Sequence, residues 1–227
     1  LDMTESNLIK QAYKHRVRSL ENSIGGFVVN IVFEKDAYPY LKNNFYYIKE
    51  GREWDLTEHN DETWPLCYAV FCSASSKSTE YAESMTLLAY MGFNEVEQWA
   101  GTFNTVSKEE DRGADYEAFK KAKAEKLLDC VEEKFPGLRK AIRSYYTATP
   151  LSYRDYIGTD DGSMYGIAKD YSNPLKTFIS PRTKIPNLYL TGQNLNLHGI
   201  LGATMSGLVT SVAFLGNEDI IEKIRNA

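Results

Sequence analysis

A chain of 227 residues is long enough for one or two domains, and 43% hydrophobic against 25% charged residues is the balance of a globular protein with a sizeable core. A net charge of −5, from 31 acidic and 26 basic residues, argues against a nucleic-acid-binding surface. Cys67, Cys72 and Cys130 form no Cys-x-x-Cys pair, and His15, His59 and His198 lack the spacings of a metal site, so no metal is implied.

Taken in chain order, Thr4 to Asn22 is predicted as an amphipathic helix with Leu8, Ala12, Val17 and Leu20 inward, ending before Gly25 and Gly26. Strands are predicted at Gly26 to Glu34, rich in Val, Ile and Phe, and at Asn43 to Lys49 after a turn at Pro39. Leu66 to Ala74 and Ser84 to Met91 are near-continuously apolar, as in strands covered on both faces. Cys67 and Cys72 point to opposite faces of one strand, so a disulfide between them is not expected and reduced, cytoplasmic thiols are the default.

The pattern then turns helical, briefly at Asn94 to Trp99 and at length over Tyr116 to Phe135, with an inward stripe of Phe119, Leu127, Cys130, Val131 and Phe135. Pro136 ends it. The basic stretches Lys14 to Arg18 and Lys120 to Lys126 are predicted as solvated helix faces. A loop-rich stretch from Thr149 to Asn173 marks the boundary between two regions. The expected architecture is α+β, a mixed or antiparallel sheet with covering helices, followed by a strand and helix near the C-terminus.

That strand and helix carry the strongest signal. Asn187 to Leu190, between Pro186 and Gly192, has the length and punctuation of a buried strand. From Gly199 onward, Gly199, Ala203, Gly207 and Ser211 recur every fourth residue beside Gly202, Ser206 and Thr210, so one helix face lacks side-chain bulk. Leu201, Met205, Leu208, Val212 and Leu215 make the rest apolar, and the helix is expected to be interior. Its N-terminus leaves about four backbone N–H groups unpaired with roughly half a positive charge, which suits an anion or an electron-rich carbonyl. Close helix-to-sheet packing would use the same small residues. As a membrane span, Gly199 to Leu215 would reach only about 25 Å against a hydrocarbon core of roughly 30 Å.

The run NLYLTGQ followed by HGILGATMSG resembles the final strand, turn and helix of the FAD-dependent amine-oxidase-like flavoproteins, in the branch of phytoene desaturases, carotenoid isomerases and retinol saturases. Upstream, TPLSYRDYIG and DGSMYGIA, from Thr149 to Ala168, resemble the same family's approach to the cofactor. The resemblance implies that Gly192, Gln193, Gly199, Ile200, Leu201, Gly202 and Ala203 lie against the flavin of FAD. It implies that Tyr153, Tyr156, Tyr165 and His198 face substrate, although aromatics also serve packing alone and a histidine before a helix also serves as a local hydrogen-bonding group.

The family's opening strand, GxGxxG turn and helix, which bind the ADP half of FAD, have no counterpart here. Gly25 with Gly26 stands alone before a strand-like run. The chain is therefore expected to be the C-terminal portion of a longer oxidoreductase, with a substrate-binding domain over 1–165 and part of the FAD-binding domain over 166–227. Its partners would be the missing N-terminal FAD-binding region and a hydrophobic polyene or isoprenoid-like molecule, with desaturation, saturation or isomerisation as the outcome. The fragment by itself is expected to be inactive. Peripheral membrane contact for substrate access, or a stand-alone lipid- or isoprenoid-binding module without redox activity, are the other readings the sequence leaves open.

Overall fold

The computed structural model describes residues 4–216 and 220–226. Two compact units emerge, one over Ile24–Met164 and one combining Leu1–Ser23 with Tyr165–Ala227. Residues 4–23 thus join the C-terminal region and not the sheet that follows them in sequence.

The Ile24–Met164 unit is built on a five-stranded antiparallel sheet. Its strands are β1 (Gly25–Phe33), β2 (Phe45–Ile48), β3 (Cys67–Phe71), β4 (Ser84–Met91) and β5 (Ile142–Ala148), in the order β2-β3-β4-β1-β5. The sheet is antiparallel throughout. The side-chain period of two divides it into a covered and an uncovered face. Phe27, Val29, Ile31 and Phe33 of β1 and Met85, Leu87, Ala89 and Met91 of β4 are buried. They form one core with Tyr116, Ala124, Leu127, Leu128 and Val131 of helix α2 (Ala114–Lys134). β4 therefore alternates, and the expectation of strands covered on both faces is corrected: its alternate residues Thr86, Leu88 and Tyr90 are only half-buried.

α2 starts two residues before its predicted position, and Pro136 follows its end. Phe119, Cys130 and Phe135 pack against the core only in part. Lys123 departs from the expected solvated face. It is buried, its ammonium bonds Glu95 at 2.6 Å and Asp61 at 2.9 Å, and it lies over the Trp64 ring. A buried ammonium persists only when paired in this way.

Three elements of this unit were not foreseen. Helix α3 (Leu138–Ala141) and β5 separate α2 from the TP motif, and helix α4 (Pro150–Ile157) occupies the stretch read as loop. The start of α4 follows from local chemistry: the Thr149 side chain accepts from the Leu151 N–H at 3.2 Å and Pro150 takes the first helical position. The Thr149 hydroxyl also meets the Tyr116 hydroxyl at 2.8 Å in the interior, which ties α4 to α2.

In the other unit, helix α1 (Gln11–Arg18) is shorter than predicted, and its inward stripe is shifted. Ile9 is buried, while Leu8 and Ala12 are exposed. The chain ends in helices α5 (Gly199–Leu215) and α6 (Ile220–Arg225). Asn187 to Leu190 is not a full strand: only Tyr189 bridges, to Arg182. Among the described residues no helix is long and apolar enough to cross a membrane.

Candidate functional site

The segment leading into α5 is held by small residues and by hydrogen bonds. Gly192 adopts φ +104°, a region that favours glycine, and its N–H donates to the Ser206 hydroxyl at 2.9 Å. Thr210 donates to the Leu190 carbonyl at 2.9 Å. Gly202 lies directly against the Leu197 carbonyl, where any Cβ would collide with backbone. The ridge of Gly202, Ser206 and Thr210 thus packs on the chain's own Leu190–Leu197 segment, which is the close approach that small residues permit.

Further contacts fix the loop. Asn194 accepts from the Ile167 N–H at 3.0 Å, and the Lys169 ammonium donates to the carbonyls of Asn194 at 2.6 Å and Leu195 at 3.2 Å. Burial pushes the Lys169 ammonium below its ordinary pKa. The Tyr165 and His198 rings lie 4.2 Å apart, tilted by 32°. His198 takes the N-cap position with no capping hydrogen bond from its side chain, so it packs on Tyr165 instead of closing the helix start.

The start of α5 is consequently open. Gly199 begins it with φ +73°, and Gly199, Leu201 and Ala203 are exposed while Ile200 is 90% exposed. The helix is not interior as expected: only Gly202 and Ser206 are buried, and Met205, Val209, Phe214 and Leu215 all face outward. Gln193 and Gly192 sit half-buried in the turn beneath.

In the Ile24–Met164 unit the TP and DGSM sequences converge on the start of β1. A Cβ at Gly25 would meet the Gly162 carbonyl at 2.8 Å and the Pro150 ring at 3.0 Å, and one at Gly26 would meet the Met164 sulfur at 2.7 Å. Gly25 and Gly26 therefore serve a crossing of chain segments, a role the sequence reading missed and which a glycine pair at a strand start could have signalled. On α4, Tyr153 is half-buried and Tyr156 exposed. The helix is anchored by buried Asp155, which binds Arg112, the Arg154 Nε–H at 2.8 Å and the Asn104 N–H at 2.9 Å.

The uncovered sheet face presents two rows of side chains in register. Tyr46, Ala69, Leu88, Val28 and Ala148 cross all five strands, and Phe71, Thr86, Asn30 and Tyr146 form the next row. Tyr46 and Tyr146, 71% and 67% exposed, stand on the two edge strands, with buried Val28 and Ala69, half-buried Leu88 and the hydrogen-bonded Asn30–Thr86 pair between them. Tyr47 and Tyr145 belong to the covered face instead, stacking on Tyr68 and bonding Glu125 respectively.

No family model matches the chain. Among curated proteins it is similar to all-trans-retinol 13,14-reductase of Homo sapiens, 30% identical over 176 residues, 74% of this chain and 27% of that protein. The Danio rerio protein of the same name is 27% identical over 190 residues, 80% of this chain and 30% of that protein. A Danio rerio protein called inactive all-trans-retinol 13,14-reductase is 26% identical over 159 residues, covering 64% of this chain. The chain spans less than a third of the length of these relatives. It is a homologue of the all-trans-retinol 13,14-reductases, the retinol-saturase branch that its TP, GSMYG and NLYLTGQ sequences resemble.

Proposed function

We propose that the chain forms part of a flavin-dependent oxidoreductase that acts on an apolar polyene, with Ile24–Met164 as substrate-binding domain and Tyr165–Ala227 as part of the FAD-binding domain. The observation that carries this reading is the open start of α5, whose backbone donors have no side-chain cap and whose first turn is exposed. That arrangement fits the carbonyl edge of a flavin ring, because a helix N-terminus stabilises electron density placed against it. Among the described residues, no strand, GxGxxG turn and helix offers a counterpart for the pyrophosphate.

In this reading Gly199, Ile200, Leu201 and Ala203 lie against the ring, Gly202 seats the helix start on the Leu197 backbone, and Gly192 with Gln193 supports them from the turn. FAD, when bound, would supply hydride or electron transfer. Tyr165 and His198 would orient substrate beside it, and within the Ile24–Met164 unit Tyr153 and Tyr156 of α4 would be that unit's own aromatic substrate contacts. This sheet face, aromatic at both edges and mostly apolar between apart from the Asn30–Thr86 pair, suits an extended hydrocarbon better than a compact polar ligand.

The test compares this chain with the longer protein that its relatives imply. The chain by itself is expected to take up no stoichiometric FAD, whereas the longer protein purifies yellow and reduces a polyene alcohol such as all-trans-retinol. Stoichiometric FAD uptake by this chain would overturn the division of the cofactor site. Tight polyene binding by this chain, with no flavin or reductase activity in the longer protein, would favour a lipid-binding module.

A further inference from the structure

The sheet face that the proposed function gives to the polyene changes character along β1. Val28, Asn30 and Val32 point to it, and each heads a row in register across the strands. Val28 lies with Leu88, Ala69 and Ala148, Asn30 with Thr86, Phe71 and Tyr146, and Val32 with Ser84 and Ser144. Hydrocarbon thus gives way to polar groups from Val28 towards Val32. In the other direction Met164 closes the floor, because its sulfur stands 2.7 Å from where a Cβ on Gly26 would be. Gly26 and Asn30 are four residues apart, which is about 14 Å of strand at about 3.4 Å per residue.

Asn30 is the residue that strand chemistry does not explain. Asparagine is depleted in strands because its carboxamide competes with the backbone for hydrogen bonds, and β1 is an inner strand with β4 on one side and β5 on the other. Thr86 fixes the carboxamide, donating from its hydroxyl to Asn30 Oδ1 at 2.9 Å. Neither side chain makes a further hydrogen bond among the described residues. The pair therefore keeps a donor, the Asn30 Nδ2–H, beside an acceptor, the Thr86 hydroxyl oxygen. Turning the carboxamide over exchanges the two roles and leaves the same combination.

One donor beside one acceptor is the complement of an alcohol, whose oxygen accepts one hydrogen bond while its O–H donates another. We propose that Asn30 and Thr86 hold the hydroxyl group of a polyene alcohol, with its hydrocarbon chain lying over Val28 and Leu88 towards Met164. This assignment rests on the substrate reading above and adds to it the polarity of the end group and the direction in which the molecule lies. An ether meets only the donor and a hydrocarbon meets neither. Each leaves a polar group of the pair unpartnered beneath it, which is how a site built to bond a hydroxyl rejects a molecule without one.

The test uses the longer, flavin-containing protein with all-trans-retinol and its O-methyl ether as alternative substrates, and reads the ratio of the two kcat/KM values. The unaltered protein is expected to favour the alcohol by about ten-fold or more. Replacing both residues, Asn30→Leu with Thr86→Val, keeps the side-chain sizes, removes the pair and should bring the ratio close to one. Thr86→Ser, which keeps the hydroxyl, should preserve the preference. A ratio between two substrates does not depend on how much of a variant folds. A ratio near one in the unaltered protein, or a preference that survives the double substitution, would overturn the assignment while polyene reduction stands, and would leave the pair to packing against a protein segment. Failure of the unaltered protein to reduce either polyene would instead remove the substrate reading, and the assignment with it.

Discussion

Glu95 shows at the scale of one residue how burial and partners compete. Its carboxylate is bonded by His59 Nε2 at 2.9 Å, by the Gly92 N–H at 3.1 Å and by the Lys123 ammonium at 2.6 Å. Burial pushes its pKa up, but the hydrogen bonds from His59 and Lys123 and the charge of Lys123 outweigh it and hold the group below its ordinary value. A carboxylate whose folded pKa is depressed contributes stability above its unfolded value, and the contribution is lost as pH falls through the folded one. The urea midpoint of the chain should therefore drop on acidification below about pH 4.5, and Glu95→Gln should flatten part of that drop. Identical pH profiles for the two proteins would show that the cluster is energetically silent. None of this was legible in the sequence. His59, Asp61, Glu95 and Lys123 are brought together only by tertiary folding, and Lys123 sits in a run that looks like a solvated helix face.

At the scale of the element, α5 separates what periodicity predicts from what packing decides. Its limits were readable from Gly199 and from the apolar run to Leu215, and Gly216 closes it in the left-handed conformation that favours glycine. Its burial was not readable, because an apolar helix meets whatever surface the rest of the fold supplies. Here only the Gly202, Ser206 and Thr210 side finds one, in the chain's own approach to the helix. Two glycines on this helix should consequently respond in opposite directions. Gly202→Ala forces a methyl into the Leu197 backbone and should cost about 1–3 kcal/mol. Gly207→Ala places its methyl in open space and should gain about 0.5–1 kcal/mol through helix propensity. Thermal denaturation of both variants checks the pair, and a loss at Gly207 as large as at Gly202 would mean that the helix packs differently.

For the whole molecule, the buried core and the negative charge both belong to Ile24–Met164, whereas the other unit holds few buried apolar side chains, Ile9, Ile179 and Leu195 among them. Local opening should follow this distribution, since segments with few buried apolar contacts open first. In native-state hydrogen exchange the amides of β1, β3, β4 and α2 should be the slowest, and those of residues 170–190 among the fastest. Comparable protection in both regions would show that residues 165–227 have a core of their own strength.

The sequence by itself determined what is local. Four strands were set by short runs rich in β-branched, aromatic or continuously apolar residues and the long helix by its 3.6-residue periodicity, and the start of α4 was written in Thr149 and Pro150 even though the stretch was read as loop. The resemblance to the retinol-saturase branch was likewise carried by short runs, TP, GSMYG and NLYLTGQ, that need no folded context to be seen. Tertiary structure decided the rest. It reduced Asn187 to Leu190 from a strand to a single bridge, since a strand needs a neighbour to pair with. It set the antiparallel order and β5, chose which face of the sheet stays open, and gave Gly25 and Gly26 a role where two distant segments cross. The physical reason is the same in each case: hydrogen-bond partners and covering surface come from residues far away in the chain, and no local pattern specifies them.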